Sequence, residues 1–144
     1  MRTFFALAFV AVPVFAGALT LQVDDIKTNP EARAQNAAVA VHTTACHSPE
    51  KTTVTAFAEG IANGQRQTIP LKVIHLSSPG AFAVAQQWPR EGTWAVKMIA
   101  TNPEYKDYAT AIVVPIHNKA TAKVFYHAPS AEEIDSVLKQ TTLE

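Results

Sequence analysis

The stretch HTTACHSPEK, residues 42–51, contains the one cysteine of the chain and two of its five histidines. Thiolate and imidazole are ligands that zinc and copper favour, so His42, Cys46 and His47 form a candidate metal site. His117 is a candidate fourth ligand from elsewhere in the chain. The spacing His-x3-Cys-His is not a recognised metal motif. The alternative is therefore a strand end at His42, followed by a loop that only connects two strands.

The same stretch also raises the question of enzymatic chemistry. Cys46 and His47 could form a nucleophile and base, but neighbours in sequence on a strand or loop usually point apart. The chain has no Gly-x-Ser-x-Gly elbow, and its five glycines include no phosphate-binding glycine-rich loop. We therefore predict a protein that is not an enzyme and has no catalytic residue.

Two tryptophans are candidate ligand-binding residues. Trp88 precedes the turn PREG, residues 89–92, and Trp94 follows it, so a hairpin would bring the two rings close together. On an exposed sheet face they would form an aromatic platform for a sugar or a peptide, with Gln86 and Gln87 as polar neighbours. The alternative is that both rings belong to the core.

The elements that must position these residues are strands. Runs of alternating apolar and polar residues recur about every 10 to 15 residues and are separated by short links rich in turn residues. The predicted strands cover residues 19–23, 37–44, 52–61, 66–77, 81–88, 93–101, 108–118 and 121–128. This spacing favours an antiparallel sandwich or barrel over βαβ units.

Three short signals refine this strand map. Asn63-Gly64 is a favoured dipeptide for a type I′ turn between two strands. Pro70 has no N–H to donate, so its strand either lies at a sheet edge or begins after it. Asn118-Lys119 is predicted to be the turn that joins the last two strands.

Both ends of the chain differ from the strand-rich middle. At the C-terminus, Ser130 is a predicted N-cap and Glu133 stands at the capping-box position, so residues 129–144 are predicted to form a short helix and a tail. Residues 1–18 have the layout of a signal peptide: a basic start, an apolar run and small residues at its end. Cleavage is predicted after Ala18, with a site after Ala16 as the runner-up and an uncleaved signal anchor as the alternative.

The chain from residue 19 onward is then secreted or periplasmic, with an N-terminal strand and loop over residues 19–36 and the β-domain over residues 37–128. Its net charge of −1 follows from 12 acidic residues and 11 basic ones once Arg2 is removed. No basic footprint for nucleic acid is present, and no further apolar run is long enough to span a membrane. A single cysteine cannot form an internal disulfide, so burial alone must stabilise the core.

The segment 76–101 resembles part of a known pattern in small exported bacterial β-sandwiches. Its residues are Pro79-Gly80, Phe82, Pro89, Gly92 and Trp94, a sequence of turns and core aromatics. In this pattern the segment is similar to the immunoglobulin-type domains of the YtkA-like and FixH-like families. The resemblance implies an immunoglobulin-like antiparallel β-sandwich outside the cytoplasm. The strand map gives this sandwich about seven strands, seven to eight by count. Some relatives take part in metal handling or oxidase assembly, but this chain lacks their Met- and His-rich motif.

These observations predict an all-β immunoglobulin-like sandwich with a short C-terminal α-helix. The function that we predict is an exported binding module for an unknown protein or small ligand, without a cofactor. The alternative is an exported copper or zinc handling protein that uses the loop of His42, Cys46 and His47. A binding module would show an exposed patch or an open sheet edge, whereas a metal handler would gather its ligands around one point.

Overall fold

The computed structural model describes residues 18–44, 47–106 and 109–140. Nearly all of the predicted signal peptide, Cys46 and the last four residues of the predicted tail lie outside these ranges. Within them, two antiparallel sheets pack face to face as two separate layers, and one helix follows the last strand. The predicted all-β sandwich with a short C-terminal helix is therefore confirmed, and the alternative of a closed barrel is wrong.

The described residues form nine strands, two α-helices and three 3₁₀ turns. The strands are β1 Thr20–Val23, β2 Ala37–Thr44, β3 Thr53–Ala62, β4 Gln65–Leu71, β5 Ile74–His75, β6 Ala81–Ala85, β7 Thr93–Thr101, β8 Thr110–Pro115 and β9 Lys123–Phe125. The helices are α1 Pro30–Ala34 and α2 Ala131–Gln140, and the 3₁₀ turns are Ile26–Thr28, Pro49–Lys51 and Lys119–Thr121. The last of these turns replaces the two-residue turn that Asn118-Lys119 predicted.

The strand order is that of an immunoglobulin-type sandwich. The four-stranded sheet has the order β1-β2-β6-β5, and the five-stranded sheet has the order β4-β3-β7-β8-β9. In immunoglobulin letters the first sheet is A-B-E-D and the second is C′-C-F-G, with β9 added beside G. The linking segment PREG therefore does not join a hairpin, because β6 and β7 belong to different sheets.

The core lies between the two sheets and follows from the alternation of side chains along each strand. On β7 the residues Trp94, Val96, Met98 and Ala100 are all buried in this core. From the opposite sheet, β2 and β6 contribute residues such as Val41. The alternating pattern predicted the bounds of β2 and β7 correctly, and on β7 one face lies wholly in the core.

A helix covers part of the outer face of each sheet. Ala32 of α1 is fully buried in a cluster with Ala40 and Ala83 of the four-stranded sheet, so residues 24–36 form a packed cover where the sequence suggested a loose segment. On the five-stranded sheet, α2 buries an apolar stripe formed by its residues Ile134, Val137 and Leu138.

The predicted capping box begins this helix. The main-chain N–H of Ser130 donates to the Glu133 carboxylate over 2.8 Å, and the Glu133 N–H donates to the Ser130 hydroxyl over 3.3 Å. The bond from the Ser130 N–H holds the pKa of the Glu133 carboxyl below its usual value, with a further contribution from the hydrogen bond with His127. No helix in the described ranges is long and apolar enough to cross a membrane.

Candidate functional site

His42 stands near the end of β2 and faces away from the core. Its neighbour Val41 is buried between the sheets, so alternation places His42 on the outer face of the four-stranded sheet. There, its Nδ1 lies 2.5 Å from Oδ1 of Asp24, the residue that follows β1. The imidazole is therefore engaged by a carboxylate of the same sheet.

His47 lies beyond the end of β2, in a loop that is tied to the loop after β7. Its main-chain N–H donates to the hydroxyl of Tyr105 over 3.0 Å. In the same pair of loops, the Glu104 carboxylate accepts from Lys51 Nζ over 2.7 Å and from Ser48 Oγ over 2.9 Å. The pKa of Glu104 is lowered mainly by the hydrogen bond from Lys51, then by the bond from Ser48. Cys46 lies outside the described residues, so the position of its thiol is not part of this geometry.

His117, the predicted fourth ligand, lies at the other end of the sandwich. The adjacent Ile116 donates its N–H to the carbonyl of Trp94 at the start of β7, whereas the loop of His47 contacts Tyr105 just beyond the end of β7. The nine residues of β7 separate these ends by roughly 26 Å at about 3.3 Å per residue. Among the residues that the structure describes, no three His, Cys, Asp or Glu side chains are grouped to hold a metal.

The two candidate tryptophans belong to the core. Trp88 is 6% exposed and Trp94 is 2% exposed. A Cβ atom on Gly60 would lie 2.5 Å from the ring of Trp94, so the absence of a side chain there lets the ring pack on β3. The neighbouring amide of Gln87 pairs with the main chain of Lys72. Neither ring is therefore available as a platform for a ligand on the surface.

The edge strand β4 is a further candidate site. It begins the segment 66–77 for which the sequence predicted a single strand, and the rest of that segment contains β5 in the other sheet. Among the described strands β4 pairs with β3 alone, so the prediction that the strand of Pro70 lies at a sheet edge is confirmed, and the alternative that the strand begins after Pro70 is wrong. Asn63 and Gly64 have φ of 52° and 73° and form the predicted two-residue turn, flanked by the pair Ala62 and Gln65.

This turn decides which main-chain groups of β4 are open. The pair that flanks a two-residue hairpin turn exchanges both hydrogen bonds, and such pairs alternate along the ladder. The main-chain groups of Arg66, Thr68 and Pro70 therefore face away from β3. No described residue accepts a hydrogen bond from the N–H of Arg66 or Thr68. Pro70 removes no hydrogen bond from the β3–β4 ladder, because the N–H that proline lacks would have faced away from β3.

A charged network behind β4 holds this edge in place. The Glu59 carboxylate on β3 is 3% exposed and accepts from Lys97 Nζ over 2.5 Å and from Thr68 Oγ1 over 2.7 Å. The guanidinium of Arg66 lies 3.7 Å from Glu59 and also pairs with Asp135 of α2. Two carboxylates and two cations thus connect β4 to β3, β7 and α2, which leaves an edge that needs little ordering before it binds.

The other edge strands of the described sandwich are shorter. β5 has two residues, β9 has three, and β1 has four. β4 has seven, which is long enough to pair with a partner strand. Short edges protect sheets against unwanted pairing, and among the described edge strands β4 is the longest.

Comparison of the chain with family models, with curated proteins and with solved structures finds no match. The resemblance to YtkA-like and FixH-like domains stays a prediction.

Proposed function

We propose that this chain is an exported, non-enzymatic interaction module whose β4 edge takes up an extended segment of a partner protein. Strand addition of this kind derives its affinity from main-chain hydrogen bonds and its specificity from alternate side chains. The observation that carries the proposal is the seven-residue edge strand, with unpaired N–H groups on Arg66 and Thr68.

The geometry limits the partner segment to a short length. Arg66 and Thr68 each offer an outward N–H and carbonyl, and Pro70 offers a carbonyl alone. Beyond Pro70 the edge is closed, since the main-chain N–H and carbonyl of Lys72 are bonded to the side-chain amide of Gln87 over 2.8 and 3.2 Å. The pairing window therefore spans the five positions from Arg66 to Pro70, about 17 Å of extended chain.

The side chains around this window favour an acidic partner. Arg66 lies within the window and Lys72 lies just beyond it, and both are exposed on the edge. Opposite charges across a strand pair are stabilising and like charges are not. The guanidinium of Arg66 is already paired with Glu59 and Asp135, whereas the ion pairs between described residues do not include Lys72. A segment with an acidic residue near Lys72 therefore matches the edge better than a basic segment.

A peptide selection tests the proposal. A phage-displayed library of random linear peptides is selected on residues 19–144, and the affinities of the enriched peptides are measured by fluorescence anisotropy. Thr68→Pro removes an outward N–H but no bond of the β3–β4 ladder, so it should weaken binding at least about tenfold, or ~1.4 kcal/mol. Thr68→Val is the matched control, because it loses the same hydroxyl bond to Glu59 but keeps the N–H.

The expected result is that Thr68→Val binds like the wild type and Thr68→Pro does not. Enriched peptides that bind Thr68→Pro equally well would show that the edge is not the binding site. The alternative of copper or zinc handling by His42, Cys46 and His47 has its own test, a titration with each metal beside Cys46→Ser.

A further inference from the structure

A cleft opens on the side of the sandwich away from β4, where β1 meets the connection that follows β8. Its volume is about 550 Å³, which lies within the range of small-molecule sites, roughly 300–1,000 Å³. One wall is the end of β1 with the 3₁₀ turn Ile26–Thr28, and the other is the 3₁₀ turn Lys119–Thr121. The lining residues are Val23, Asp24, Asp25, Ile26, Lys27, Lys119 and Ala120.

The apolar part of this cleft is continuous with two hydrophobic clusters. Val23 packs against the core between the sheets, and Ile26 packs against the cluster beneath α1. Both side chains are only partly buried, so each keeps apolar surface that an occupant could cover. The hydrophobic effect would therefore favour a ligand with a small apolar body.

The charged part of the cleft has two residues of each sign. Asp24 is bonded to His42, and Oδ1 of Asp25 accepts from the main-chain N–H of Lys27 over 2.9 Å. The ion pairs between described residues include neither Lys27 nor Lys119. Both lysine side chains are therefore available to an occupant, beside carboxylates of opposite sign.

We infer that this cleft binds a small zwitterion with an apolar body, the chemistry of a free apolar α-amino acid. Its carboxylate pairs with Lys27 and Lys119, its ammonium group with Asp25, and its side chain covers Val23 and Ile26. A simple anion would meet the repulsion of the two carboxylates, and a simple cation that of the two lysines. Only a ligand with both charges complements Asp25 as well as the two lysines.

Calorimetric titration of residues 19–144 with three matched probes tests this inference. L-Leucine carries both charges, 4-methylpentanoate carries only the carboxylate, and 3-methylbutylamine carries only the ammonium group. Leucine should bind at least about tenfold more tightly than either analogue. Lys119→Met and Asp25→Asn should each weaken leucine binding at least about fivefold, and the asparagine keeps the acceptor that caps the 3₁₀ turn.

Two further variants distinguish the loss of a binding group from misfolding. Lys119→Arg keeps the charge and should retain leucine binding. Lys139→Met, at an exposed position of α2, should leave leucine binding unchanged. The inference is overturned if leucine fails to bind up to about 10 mM, if 4-methylpentanoate binds as well as leucine, or if Lys119→Met has no effect. Thr68→Pro at the β4 edge should not alter leucine binding, so the two proposals fail independently.

Discussion

The loop end of the sandwich and the β4 edge differ in what they leave open. At the loop end, residues 47–52 and 102–105 carry ionisable and hydroxyl side chains that bond to one another. Asn102 illustrates this: its side-chain amide donates to the Ser48 carbonyl over 3.1 Å and to Thr52 Oγ1 over 3.2 Å. β4 carries no reactive side chain, yet its main-chain groups at Arg66 and Thr68 point to solvent.

In this molecule, reactive residue types therefore do not mark the surface at which unpaired polar groups face solvent. A polar side chain that is bonded within the fold stabilises a loop and has less left for a ligand. An unpaired edge strand offers donors and acceptors whatever its side chains are. Three experiments separate the two regions, beginning with the largest expected effect.

Removing a cation from the network behind β4 should cost the most stability. Lys97→Met leaves the 3%-exposed carboxylate of Glu59 without its nearest ammonium group, and loss of one partner from a buried pair costs roughly 3 kcal/mol. Urea unfolding measures the change. Lys139→Met on α2 is the control and should stay within about 0.5 kcal/mol of the wild type. A loss below about 1 kcal/mol for Lys97→Met would mean that the network does not hold the edge.

Breaking the hydrogen bonds of Asn102 at the loop end should lower the stability by less and leave peptide binding at the β4 edge unchanged. Asn102→Ala removes the bonds to Ser48 and Thr52 and leaves the Glu104 N–H without its acceptor, at about 1–3 kcal/mol for the unpaired groups. Urea unfolding again gives the stability, and anisotropy gives peptide binding. Because β4 lies outside these loops, peptide affinity should not change. A parallel loss of affinity and stability would contradict the separation of the two regions.

Acidification should destabilise the loop end by a smaller amount than Asn102→Ala. The pKa of Glu104 in the folded protein lies below its ordinary value of 4.5, chiefly because of the hydrogen bond from Lys51. The stabilisation is therefore fully present above the ordinary value and is lost as the pH falls through the lowered one. Amide chemical shifts of Glu104 and His47 should follow this titration, and Glu104→Gln should abolish it. Shifts that move only above pH 4.5 would oppose the assignment.

Local patterns predicted much of the fold. Alternation along β7, the Asn63-Gly64 turn and the capping box of Ser130 and Glu133 depend on residues close in the chain. Residues 24–36 were predicted as a loop, but their short helix packs Ala32 against Ala40 of the following strand β2 and Ala83 of the distant strand β6. It also left both tryptophans open to two interpretations, because burial depends on which elements cover a residue.

The candidate site at the β4 edge was harder to predict from the sequence than the fold. Pro70 pointed to an edge, but nothing in residues 65–71 alone tells whether that edge is covered by another element. The cleft is still harder to predict from the sequence, because Lys27 and Lys119 lie far apart in the chain and line one surface only in the folded protein.

The sequence alone predicted most of the strand-forming segments, the turn between β3 and β4, and the amphipathic stripe of α2, because periodicity and turn chemistry act over a few residues. The single strand predicted over residues 66–77 is wrong, since this segment forms two strands, β4 and β5, of different sheets. Only the tertiary structure decided that β6 and β7 lie in different sheets and that His117 lies a strand length from His47. It also decided that the unpaired donors belong to β4. Which groups remain unpaired depends on contacts between segments distant in the chain, and a linear pattern does not record those contacts.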